Sequence, residues 1–180
     1  MRATKRLTLS AIIVALGAVF MSIGALFPSL DLTAVALASL LMAFVYMEIG
    51  SPYTWLVWIC TTLAVALLYF GSLIWAEYLL VFGIYPVLKG YIERLGRGLW
   101  LLLKLAYANL TLALLALVGE FVIGVPLFSG ESIFGLAPWA VYAILWVALN
   151  FAFLLYDIFI NVMVRFYMQK LRPRIKTLLK

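Results

Sequence analysis

Residues 53–97 read YTWLVWICTTLAVALLYFGSLIWAEYLLVFGIYPVLKGYIERLGR. A membrane-crossing helix needs about 20 apolar residues, and the apolar run from Tyr53 to Leu88 is too long for one. Gly71 and Ser72 divide it, so it reads as two spans, Tyr53–Phe70 and Ser72–Leu88. The second is short and carries Glu77, Gly83 and Pro86. Whether that stretch crosses decides between five and six spans, and the basic residues choose. Lys and Arg collect in cytoplasmic loops, whereas acids count for little. With six spans, Lys89, Arg94, Arg97 and Lys104 share a side with Arg2, Lys5 and Arg6. The same side takes Arg165, Lys170, Arg172, Arg174, Lys176 and Lys180, which completes the basic residues. Five spans would put the Lys89 cluster on the face opposite the N-terminus.

The rest of the chain fits the same layout. Leu7–Phe27 is a first span that stops at Pro28-Ser29-Leu30-Asp31, and its length predicts a retained helix rather than a cleaved leader. Leu32–Ile49 is the second and stops at Gly50-Ser51-Pro52. Gly98–Gly124 is the fifth, Val125–Pro138 an external loop, and Trp139–Met163 the sixth, before a basic tail. The sequence therefore predicts an all-α bundle of six transmembrane helices in one domain, residues 1–180, with both termini cytoplasmic. Composition agrees: 68% of the 180 residues are hydrophobic and 11% charged. A soluble domain is near half apolar and a quarter charged. The net charge of +6 sits at the ends and in one loop, which suits a membrane surface and not nucleic acid.

Chemistry-bearing parts are few. The chain has no histidine and one cysteine, so histidine triads and the HExxH zinc motif are excluded. No phosphate-binding or dinucleotide glycine pattern occurs, Ser129 has no neighbouring base, and Asp157 is the only aspartate within a span. The expectation is a protein that is not an enzyme and that holds no cofactor or metal. Cys60 lies in an apolar run and is expected to be buried and inert.

Charges inside spans warrant a functional hypothesis. Lys104 and Asp157 lie at similar depth near the cytoplasmic ends of the fifth and sixth spans. They are expected to pair, with Glu48 the next partner for Lys104. Gly83 and Pro86 mark either a broken helix beside protein or a water-filled cavity, or a plain proline kink. In the outer half, Glu77, Tyr78, Glu120, Tyr142 and Trp146, with Asn150 deeper, form the candidate ligand-binding set. Pockets are mostly apolar with a few convergent polar groups, and the Val125–Pro138 loop would act as a lid. Outer acids Asp31, Glu77, Glu120 and Glu131 face no base, which suits a neutral or cationic ligand. Trp75 and Trp139 read as interface anchors. The first span carries small residues, with Ala-x-x-x-Ala at Ala11 and Ala15, which permit close approach of another helix.

In layout, the basic start, Ala11 and Ala15, six spans in under 200 residues and the basic tail resemble the S components of energy-coupling-factor transporters. The resemblance implies a substrate-binding subunit of a bacterial cell membrane that takes up a vitamin or other micronutrient from outside. It also implies that the Ala11–Ala15 face packs against a transmembrane coupling subunit driven by two ATPases. No motif names the substrate. The alternative left open is a scaffold or assembly protein of the membrane with no small-molecule ligand.

Overall fold

Backbone polar groups in lipid have no water to bond, so a chain this apolar must satisfy them within its own helices. The computed structural model describes residues 3–95, 97–125 and 137–173. Among them every regular element is helical: α1 Ala3–Leu26, α2 Asp31–Glu48, α3 Ser51–Leu68, α4 Ile74–Glu77, α5 Tyr85–Ile92, α6 Arg97–Val118 and α7 Pro138–Phe166. Five segments are long and apolar enough to cross a membrane: Ala3–Leu26, Pro28–Glu48, Ser51–Leu68, Gly98–Ile123 and Pro138–Leu171. They match the expected first, second, third, fifth and sixth spans within a few residues, except that the last runs farther into the basic tail. Prolines set several starts, because a proline in the first turn gives up an N–H that has no partner there anyway. Pro28, Pro52, Pro86 and Pro138 all sit so.

The chain divides into two compact units, Met1–Ser129 and Gly130–Lys180. In the first, α1 packs along α2 and α3. Its core holds Met21, Val35, Ala38, Met42, Val45, Val57, Val65, Ile74 and Tyr78. The small residues of α1 sort onto two faces. Ser10, Gly17 and Gly24 are buried, and a Cβ on Gly24 would lie 2.7 Å from Ile74 Cδ1 and 2.8 Å from Ala34 Cβ. Ala11 and Ala15 are exposed. The close approaches inside this unit are thus made by glycines, and the alanine pair is left outside. Cys60, expected to be buried, is exposed on α3. An apolar run has no polar side to mark its outer face in lipid, so the thiol turns outward without desolvating anything.

The segment after α3 is helical but broken. It comprises α4, a wider π turn over Tyr78–Phe82, and α5. Pro86 has no N–H to give to the preceding turn, and its ring crowds the carbonyl four residues back. The ladder shifts register, and Gly83 N–H reaches back five residues to Tyr78 O at 2.8 Å. Two carbonyls of the turn, Leu80 O and Val81 O, accept the Tyr107 hydroxyl of α6 at 2.6 and 3.0 Å. The broken-helix reading is therefore the one realised, and it is covered by protein.

The described part of the second unit is α7 with the π turn Tyr167–Leu171 that continues it. Phe153, Tyr156, Asp157 and Ile160 are its buried residues, three and four apart and so on one face.

Candidate functional site

Glu77 closes α4, one turn below the start of the broken segment. Its position follows from the turn before it: Ser72 N–H bonds Tyr69 O, and Ser72 Oγ accepts Ile74 N–H at 3.3 Å. Trp75 is fixed there too, stacked on Phe70 with its indole N–H on Phe70 O at 3.1 Å, as suits an aromatic at the end of a span. Glu77 is 8% exposed, and its Oε2 has no hydrogen-bond partner among the described residues. Tyr78 follows at 1% exposed and packs into the core, with Thr61 of α3 beside its hydroxyl. The charge that acts on Glu77 is Asp31, at the start of α2.

The other expected ligand residues fall into two places. Glu120 is half-buried on the π turn Gly119–Ile123 that extends α6. Tyr142, Trp146 and Asn150 lie on α7 in the second unit. They follow one another at four-residue spacing, so they share a face. Trp146 is exposed, and Asn150 Nδ2 donates to Trp146 O at 3.0 Å within the same helix. Asn109 does the same on α6, donating to Leu105 O at 2.8 Å. Glu77 and Tyr78 are thus brought together inside the first unit, while the other four stand on other elements. The loop assigned a lid role lies, over residues 126–136, outside the described residues, as do Ser129 and Glu131.

At the opposite end of the first unit Lys104 meets Glu93, a carboxylate not among its expected partners. Lys104 Nζ is 2.7 Å from Glu93 Oε1, and Lys89 Nζ is 3.0 Å from the same oxygen. Both lysines are almost wholly buried, whereas Glu93 is 41% exposed. Lys104 also sits over the Trp100 ring, 4.3 Å from its centroid, a cation–π contact. Glu93 was not singled out from the sequence, because it follows the end of the fourth expected span at Leu88. The signal was present as Lys89 and Glu93 at i, i+4, a pairing spacing on a helix.

Burial pushes the Glu93 carboxyl up, but hydrogen bonds and charge from Lys104 and Lys89 outweigh it and hold the group below the usual 4.5. A depressed carboxylate stabilises the fold above its unfolded value, and that contribution is lost as pH falls through the folded value. Wild type is therefore expected to lose melting temperature on acidification below about pH 4.5, and Glu93→Gln to lack that part of the loss. Breaking a fully buried pair costs about 3–5 kcal/mol, and solvent at Glu93 reduces this to about 1–2 at neutral pH. Thermal unfolding in nanodiscs at pH 7 and pH 4 checks it; identical acid limbs would refute the role of Glu93.

No group of three or more metal-ligating side chains occurs among the described residues. Comparison with family models, curated proteins and solved structures finds no match to this chain.

Proposed function

We propose that this chain is the solute-binding membrane subunit of an energy-coupled importer for a micronutrient, of the energy-coupling-factor type. In this reading it is a multi-pass protein of a bacterial cell membrane with six spans and both ends in the cytoplasm. The broken segment from α4 to α5 is the fourth crossing, which keeps the basic residues on one side. The observation that carries the reading is the pair Ala11 and Ala15, exposed on α1 while the glycines of the same helix serve the bundle's own packing. A small-residue face that the monomer does not use suits a partner helix at close range, here the coupling subunit, driven by ATPases. Glu77, Tyr78, Glu120, Tyr142, Trp146 and Asn150 remain the solute-binding candidates.

The test is purification from cells in mild detergent, followed by mass spectrometry of bound small molecules. A stoichiometric micronutrient that leaves on denaturation is expected; repeated recovery of none, with full folding, supports the scaffold reading instead. Reporter fusions check the topology. Fusions at Ser29 and Gly71 are expected outside and those at Ser51 and Gly96 inside; an outside signal at Gly96 would remove the fourth crossing.

A further inference from the structure

The polar atoms buried at the upper end of the first unit lack a positive charge to answer them. Glu77 is nine-tenths buried with Oε2 unpartnered among the described residues, and Asp31 Oδ1 is buried and likewise unpartnered. Of α1, α2, α3 and α6, which all pack against α4, only α2 supplies a charge acting on Glu77, and that charge is Asp31. Every Lys and Arg of the chain falls before Leu7, from Lys89 to Lys104, or from Arg165 onward, so no basic side chain belongs to these helix ends. A buried carboxylate beside a second, half-buried one and without a counter-charge is strongly unfavourable.

We propose that Glu77 and Asp31 jointly bind one small alkali cation, Na+ in the first instance, which clamps the start of α2 to the end of α4. Carboxylate oxygens are the hard donors such a cation takes. Gly24 of α1 brings the two helix ends together. A single methyl on Gly24 would meet Ile74 Cδ1 at 2.7 Å, Ala34 Cβ at 2.8 Å and Asp31 Cα at 3.3 Å. Asp31 and the first residue of α4 are thus drawn against the same glycine of α1. The clamp joins the first turn of α2 to the last residue of α4. The turn 27–30 that leads into α2 and the turn 69–73 that leads from α3 into α4 therefore gain order when it is filled.

Binding to the folded state raises its melting temperature with ligand concentration. Protein in nanodiscs at pH 8 is melted in NaCl and in choline chloride at equal ionic strength. NaCl at about ten times the dissociation constant is expected to raise the midpoint by about 3 °C over choline. The difference is expected to vanish in Glu77→Gln and in Asp31→Asn, which keep shape and lose charge. It is expected to shrink at pH 5.5, where protons compete for the same oxygens. Overlapping wild-type curves in the two salts would overturn the proposal, and this needs no variant to fold. Retention of the full sodium shift in Glu77→Gln would overturn it as well. Stabilisation by acid with no sodium dependence at any pH would assign the position to a shared proton and exclude the alkali cation.

Discussion

Replacing Gly83 with alanine is expected to destabilise the first unit by about 3 kcal/mol, at the high end for overpacking. The added Cβ would stand 2.5 Å from Tyr78 O, and 2.8 and 3.0 Å from Trp58 Cδ1 and Nε1. A side chain in the way can rotate, but Tyr78 O is backbone, and it is the acceptor that closes the π turn. To admit the methyl, the turn must rewind, which moves the carbonyls of Leu80 and Val81 away from the Tyr107 hydroxyl. In lipid a lost bond of this kind is not replaced by water. Gly98 is the control, since nothing lies within 4 Å of a Cβ built there. Unfolding titrations in mixed micelles of wild type, Gly83→Ala and Gly98→Ala measure the two costs. Equal costs at both positions would show that the turn tolerates a side chain.

Paired Ala11→Trp and Ala15→Trp replacements are expected to abolish assembly with a coupling subunit and to leave the fold intact. Each indole would hold the two helices apart where close packing is the source of attraction. At about 2 kcal/mol per overpacked position, the pair lowers affinity about a thousandfold. Because both alanines are exposed, the melting temperature of the isolated chain is expected to stay within a degree or two. Co-purification with the coupling subunit and ATPases, alongside thermal unfolding of the chain alone, reads both effects. Undiminished co-purification would rule this face out as the interface. The contrasting change, Gly17→Leu, puts bulk against Thr61 Cγ2, 3.2 Å from the glycine's would-be Cβ, and is expected to damage the fold itself.

Span limits were legible in the sequence because Pro, Gly and charges interrupt apolar runs wherever the chain must turn in water. The π turn was visible only as a suspicion at Gly83 and Pro86. Its form depends on Trp58 from α3 and Tyr107 from α6, which no local pattern brings to that spot. Which face of α1 is inward was not legible at all. A helix that is apolar all round has no polar side, and burial is then decided by volume, glycine against alanine. Glu93 was missed as a contact of Lys104 for a related reason. Depth along spans points to Asp157 or Glu48, whereas a lysine stem is long enough to reach past its own helix end to Glu93. Within the expected ligand set, Glu77 and Tyr78 were recoverable as neighbours from spacing alone. How Glu120 and the residues of α7 relate to them is a matter of long-range packing, which periodicity does not encode.

The Tyr107 hydroxyl that covers Leu80 O and Val81 O also bears on how the chain is made. The carbonyls precede the hydroxyl by 27 and 26 residues, so the ribosome delivers the broken segment well before the group that completes it. A bare carbonyl in hydrocarbon costs several kcal/mol, so the two carbonyls of the π turn gain their hydroxyl partner only once α6 has been made. The Lys89–Glu93–Lys104 cluster joins the same two stretches of chain. Completion of the broken segment is thus tied to the helix that follows it.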